Sequence, residues 1–262
     1  MIAKPEVNLE GLRDFLKGFD PELKFIDYVD DPTMIPAGTQ LTKIAGQQCY
    51  FAFGSGRSWN EDAARYIRNI LEQKHGSVLE HANYSFHLYG ISRSLTHELV
   101  RHRAGLAFSQ TSQRYVDGKI LRFVMRPEFQ DDSELEAMFF ADIDSAANKY
   151  ERRAELLMER QQRGQGILTG EKKRDLRKKV NQAARSILPN ETEAPTVVTA
   201  NVRAWRHMLN MRASEHAETE IRRLFVRIFA CLLHVDPILF GDFQVVAKPD
   251  GIPAIETPFV KV

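Results

Sequence analysis

A mixed α/β fold of the α+β kind is predicted from three features of the sequence. His81 to Tyr89 alternates apolar and polar side chains with period two, the mark of a half-buried strand. Helical periodicity opened by capping residues dominates on either side of that central region. The chain has 262 residues, 43% hydrophobic and 27% charged, enough for one large domain or two small ones with a core that needs no disulfides or metals.

Taken in order, Asn8 can cap a short helix through about Phe19, with Leu9, Leu12, Phe15 and Leu16 on one side. Asp30 to Gly38 carries two prolines and reads as loop. Ser58 and Glu61 form a capping-box pattern ahead of a helix to about Lys74, with Ala64, Ile67 and Leu71 as its stripe and Gly76 as its end. After the strand, Gly90 breaks the pattern. Ser92 then caps a helix to about Arg103, with Ile91, Leu95 and Leu99 inward. Residues 104–114 are small and polar and read as a surface loop, and Tyr115 to Met125 reads as one or two strands closed by Pro127.

A second capping box, Ser133 and Glu136, opens a long helix through about Gln162. Its apolar side is Leu135, Met138, Phe139, Ile143, Ala147, Tyr150, Ala154 and Leu157, and Gly164 and Gly166 stop it. A basic helix follows from about Gly170 to Ile187, ended by Pro189. Two more helices are expected between Asn201 and His234, on either side of Arg212.

Net charge is +1, which gives no global basic coat for nucleic acid. No apolar run is long enough to span a membrane and the N-terminal residues lack a secretory signal, so a cytoplasmic protein is expected. The two cysteines cannot form a disulfide framework. Cys231, in IFACLL, reads as core packing, and Cys49 has no neighbouring cation to make a thiolate. His97-Glu98 with His102 is not a zinc-protease motif. The five-residue spacing turns a helix by about 500° and puts the imidazoles on different faces. No metal is expected. Gly54-Ser55-Gly56 lacks both the third glycine and the lysine of phosphate loops.

Two clusters stand out. On the basic helix, Lys178, Asn181, Gln182 and Arg185 share one face, as either a solvated surface or a site for phosphate or RNA. The denser cluster is Glu98-x-x-Arg101-His102-Arg103, then Ser109-Gln110-x-Ser112-Gln113-Arg114-Tyr115. Guanidiniums beside hydroxyls and amides suit a phosphorylated, hydrogen-bonding ligand; the alternative is an Arg–Glu surface network.

The stretch RHRAGLAFSQTSQRY resembles the signature of the flavin-dependent (ThyX) thymidylate synthase family, which is RHR, seven or eight residues, then Ser. HGSVLEH (75–81), SRSLTHELVRHR (92–103), ARSILPN (184–190) and NVRAWRHMLNMRASEHAETEI (201–221) resemble it too, in order. The resemblance implies one family domain over 1–262, with a central, mostly antiparallel sheet flanked by helices, in a homotetramer whose active sites draw on several subunits. It implies reductive methylation of dUMP at C5 with FAD, NADPH and methylenetetrahydrofolate, without a cysteine nucleophile, at a site that binds neither nucleic acid nor membrane.

It also implies roles for named residues. Glu98, Arg101, Gln110, Ser112, Arg114, Tyr115, Lys178, Arg185 and Arg212 would hold the nucleotide. Of these, Arg212 would polarise the ring and Ser112 would offer a hydroxyl in the catalytic group, with no histidine or lysine base paired to it in the sequence. His75, Ser77, Glu80, Arg93, Arg101, His102, Arg103, Ser109, Asn201, Arg203 and His207 would hold FAD. The loop 104–111 has eight residues where many members have seven, which keeps open a relative that methylates UMP. A non-enzymatic RNA-binding module using residues 171–185 is the reading from a different class; the near-neutral charge counts against it.

Overall fold

The computed structural model describes residues 1–57, 59–116, 120–164 and 173–261, the last segment without the side chains of 173 and 174. The fold is mixed α/β. In chain order it runs α1 (Glu10–Lys17), α2 (Ala37–Tyr50), α3 (Ala63–Glu72), β1 (Asn83–Leu88), α4 (Arg93–Leu99), β2 (Leu106–Gln110), α5 (Ser133–Gln162), α6 (Lys173–Ala184), β3 (Thr196–Asn201), α7 (Val202–Arg212), α8 (Thr219–Val235), α9 (Pro237–Phe240), β4 (Gln244–Val246) and β5 (Ala254–Glu256). One sheet has the order β1-β3-β2. β4 and β5 pair antiparallel, with Val245 opposite Ile255.

The chain divides into two compact units. The first holds residues 1–86, 102–107 and 198–262, and the second 87–101 and 108–197. The first is built around Trp205, which is fully buried, donates through Nε1 to the Tyr84 carbonyl at 3.1 Å and meets the Phe86 ring edge-on at 5.1 Å. In the second, Leu95 and Leu99 from α4, Phe139 and Tyr150 from α5, and Val180 and Ala184 from α6 are buried.

Several elements match the sequence reading. The burial of β1 alternates as its period predicts. Ser92 caps α4, accepting from the Leu95 amide at 3.1 Å, whereas the cap position of α1 is Leu9, with Asn8 one residue earlier accepting from the Glu10 amide at 2.9 Å. Two helices, α7 and α8, fill the stretch 201–234 as expected, with Arg212 as the last residue of α7.

Others are corrected. Residues 104–114 are not all loop, because 106–110 form β2. Within 115–125 the described residues hold no strand, only the bridge of Phe123 with Thr192; residues 117–119 lie outside the described residues. The helix before β1 ends at Glu72, ahead of Gly76, and buries Ala63 rather than Ala64 beside Ile67, Ile70 and Leu71. Ser58, Gly166 and residues 170–172 lie outside the described residues. Asp132, not Ser133, caps α5, accepting at 3.0 and 3.1 Å from the amides of Glu134 and Leu135. On that helix Ala146 is buried and Ala147 exposed. Cys231 is exposed, because the buried stripe of α8 is Phe225, Ile228, Phe229 and Leu232.

The helix α2 was not expected at all. Its buried face is Gly38, Thr39, Thr42, Lys43, Gly46 and Gln47. A Cβ on Gly38 would collide with Tyr84 Oη, and one on Gly46 with Tyr66 Oη. Asp236, fully buried, accepts from the Thr39 amide (2.8 Å), Thr39 Oγ1 (2.5 Å), Tyr84 Oη (3.0 Å) and the Leu239 amide (3.1 Å). Lys43 Nζ lies 5.0 Å from the Tyr28 ring centroid and 3.4 Å from Asn60 Oδ1.

Burial pushes the Lys43 amine down to about 8, partly countered by Asp31 and Asp62. Between about 8 and its ordinary value of 10.5 the unfolded chain keeps the proton that the folded chain has lost. Stability from this group therefore rises with pH across that window. In urea unfolding from about pH 7 to about pH 10, the difference between wild type and Lys43→Met is expected to shift in the wild type's favour as pH rises. A difference independent of pH would contradict it.

Candidate active site

In the first unit, a turn of tight backbone after His102 and Arg103 brings Gly105 to the start of α7. The Asn201 side chain accepts from the Ala204 amide at 2.9 Å and caps that helix, while its backbone amide donates to the Gly105 carbonyl at 3.1 Å. Gly105 has φ +72°, and a Cβ there would lie 2.5 Å from Asn201 Nδ2. Only glycine fits both the left-handed backbone and the close approach. A recess of about 300 Å³ opens at this point, lined by Glu80, Ala104, Gly105, Asn201, Arg203 and His207.

Arg203 Nη1 donates to Glu80 Oε1 at 2.7 Å, both side chains being about half exposed. His207 follows one turn later on α7 and meets the His102 ring edge-on at 5.7 Å. His102 is 8% exposed and accepts through Nε2 from Arg212 Nε at 2.9 Å. Burial, then the Arg212 cation, then His207 push its imidazole down to about 4, so it is neutral at physiological pH. Arg212 is the last residue of α7, where the helix dipole favours a cation. His75, Ser77 and Arg103 are exposed, the first two at the 3₁₀ turn Gly76–Glu80.

The second unit carries Arg93, Glu98, Arg101, Ser109, Gln110, Ser112, Arg114, Tyr115, Lys178 and Arg185. Gln110 Nε2 donates to Thr96 Oγ1 at 3.1 Å, tying β2 to α4. Ser112 Oγ accepts from the Arg114 amide at 3.3 Å. The exposed Tyr115 ring has Lys178 Nζ 4.9 Å and the Arg114 guanidinium 5.9 Å from its centroid, both within cation–π range. Burial, then Arg185, lowers the Arg93 guanidinium's proton affinity, so two cations crowd one another. Two buried atoms here, Arg114 Nε and Gln113 Nε2, have no hydrogen-bond partner among the described residues. Buried donors are rarely left so without a ligand or water to receive them.

The sequence-derived flavin group thus divides. His75, Ser77, Glu80, His102, Arg103, Asn201, Arg203 and His207 belong to the first unit, and Arg93, Arg101 and Ser109 to the second. The nucleotide group lies in the second unit except Arg212, which is bonded to His102. Gln113 belongs to the polar cluster read from the sequence but has no role assigned there, and Thr96 is in neither group. Gln113 stood in the same QRY run that pointed to its neighbours, whereas Thr96 offered no signal of its own. Among the described residues no group of three or more His, Cys, Asp or Glu is arranged to hold a metal ion, and no helix is long and apolar enough to cross a membrane.

Comparison with known proteins bears on the same residues. The profile of the family described as "Thymidylate synthase complementing protein" matches residues 31–238. The flavin-dependent thymidylate synthase of Mycobacterium sp. (strain JLS) is 45% identical over 224 residues, 85% of this chain and 87% of that protein. That of Mycobacterium leprae (strain TN) is 41% identical over 258 residues, 98% and 97% of the two chains. That of Mycobacterium tuberculosis (strain ATCC 25177 / H37Ra) is 43% identical over 222 residues, 84% and 86%. With the RHR segment, its serine and the α7 cap in their expected order and the match running through most of the sequence, this chain belongs to the flavin-dependent thymidylate synthase family.

Proposed function

We propose that the chain makes dTMP by reductive methylation of dUMP at C5, with methylenetetrahydrofolate as carbon donor and FAD and NADPH as the reducing system. The observation that carries this reading is the 41% identity to a flavin-dependent thymidylate synthase over 98% of the chain. The thymidylate synthase names of the relatives favour dUMP over UMP.

The residues at the recess fit a flavin dinucleotide. Guanidinium, imidazole and amide donors from Arg203, His207 and Asn201 suit an anionic, hydrogen-bonding group, and Gly105 presents bare backbone. FAD, when bound, carries reducing equivalents from NADPH to the uracil ring. The chain's own residues bind, orient and polarise. Glu80 holds Arg203 in place, and His75, Ser77, Arg93, Arg101, His102, Arg103 and Ser109 complete the flavin contacts.

Arg101, Arg114 and Arg185, with Lys178, neutralise the nucleotide phosphate. Glu98, Gln110 and Tyr115 hydrogen-bond the rest of the nucleotide. Ser112, whose oxygen accepts from the Arg114 amide, contributes a binding hydroxyl. Arg212 stabilises the negative charge that builds on the uracil oxygens. The active form is a homotetramer whose sites draw on more than one subunit. Light scattering is expected to give about four times the 30.0 kDa chain mass, and full activity in a monomer would contradict the shared site.

The test supplies purified protein with FAD, NADPH, methylenetetrahydrofolate and equal dUMP and UMP, and identifies products by mass spectrometry. Formation of dTMP is expected. Methylated UMP as the main product would overturn the substrate assignment.

A further inference from the structure

Arg212 has a long side chain with many rotamers, yet the charge it is assigned to stabilise develops at one place. Something must fix the guanidinium plane, since a misdirected donor loses most of its catalytic value. The bond to His102 does this. Arg212 Nε–H donates to His102 Nε2 at 2.9 Å, so Nε2 carries no proton and the ring is the Nδ1–H tautomer. The imidazole is buried and braced edge-on by His207, which leaves it little freedom. Capturing Nε sets the plane of the whole guanidinium, because the five donors form one rigid fork.

We infer that His102 is a positioning residue for Arg212: by accepting the Nε–H it fixes the direction in which the guanidinium meets the uracil ring. This rests on the reading of Arg212 as the ring-polarising cation. It adds to the flavin contact implied for His102, because the bond to Arg212 engages Nε2 and the ring's second nitrogen is a separate group. The neutral state is essential to the arrangement. A protonated imidazole would set N–H against N–H, and burial with the Arg212 and His207 neighbours holds the ring near 4, far below physiological pH.

Four variants test the inference: His102→Gln, which keeps an acceptor; His102→Phe, which has none; Arg212→Ala; and the double variant His102→Phe/Arg212→Ala. The readouts are kcat, KM for dUMP and bound flavin by visible absorbance. Measured at saturating FAD, so that the flavin contact assigned to His102 does not limit turnover, His102→Phe is expected to lower kcat by about ten- to a hundred-fold, with KM for dUMP within about two-fold of wild type. His102→Gln is expected to recover most of that loss. The double variant is expected to match Arg212→Ala, because His102 then has nothing left to position.

Equal losses in the Gln and Phe variants, losses that multiply in the double variant, or a loss that saturating FAD restores would each overturn the inference. Wild-type turnover in Arg212→Ala would instead overturn the reading of Arg212, a separate outcome. If His102→Phe does not fold, ¹⁵N-histidine NMR of wild type and Arg212→Ala decides, because His102 stays in place. The Nδ1–H tautomer is expected in wild type and a mixture in the variant. The same tautomer balance in both would overturn the inference.

Discussion

Arg212→Ala is expected to cut dTMP formation about a hundred- to a thousand-fold while the protein stays folded. The size follows from what such a donor does. A pre-aimed charge stabilises only the charge that develops during reaction, so its removal falls on kcat. The fold is expected to survive because Arg212 is the half-buried last residue of α7, whose other end is capped by Asn201 and whose packing rests on Trp205, Met208 and Leu209. Steady-state kinetics beside a circular dichroism melt separate the two effects. A variant with normal turnover would remove Arg212 from the site, and one that lost activity only by unfolding would reduce it to a structural residue.

The largest expected stability effect lies at Asp236. Replacing it by Ala is expected to cost about 3–5 kcal/mol, measured by urea unfolding near neutral pH. Burial raises its carboxyl above the ordinary range, against the pull of the bonds from Thr39, Leu239 and Tyr84. The ionised side chain is therefore no bargain in itself. Truncation is harmful for a different reason: it strands the amides of Thr39 and Leu239 and the hydroxyls of Thr39 and Tyr84 in a water-free place. A midpoint within experimental error of wild type would refute this account.

Where burial follows polarity, the sequence was readable. β1 alternates because one side of it meets the Trp205 core, and α7 and α8 carry ordinary apolar stripes. Where the two part company it was not. The inner face of α2 is glycine, threonine, lysine and glutamine, so no apolar period marks it. In β3, Thr196 and Ala200 are as buried as Val198, and in β2 every residue is exposed or half-buried. Cys231 misled in the opposite sense, since its apolar neighbours say nothing of the angle at which it leaves α8.

The candidate site divides along the same line. The RHR segment, Ser112 and the QRY run announce themselves because their polar residues are contiguous. The bond between His102 and Arg212 joins positions 110 residues apart, and only folding reveals it. Gln113 stood in the polar cluster without a role of its own, and its buried, unanswered amide nitrogen gives it one to fill.

The polar inner face of α2 has a consequence for how that helix may be altered. A greasy face adheres to its neighbours by area and accepts many shapes of similar volume, whereas this one is addressed atom by atom. A slip of one residue turns a helix by about 100° and would carry Thr39 away from Asp236, Lys43 away from Asn60 and Gly46 away from Tyr66 all at once. α2 thus has one seating and no near neighbours to it. Attempts to harden the protein by filling that interface with larger apolar side chains would erase the code that seats the helix, and stabilising changes belong on its outer face instead.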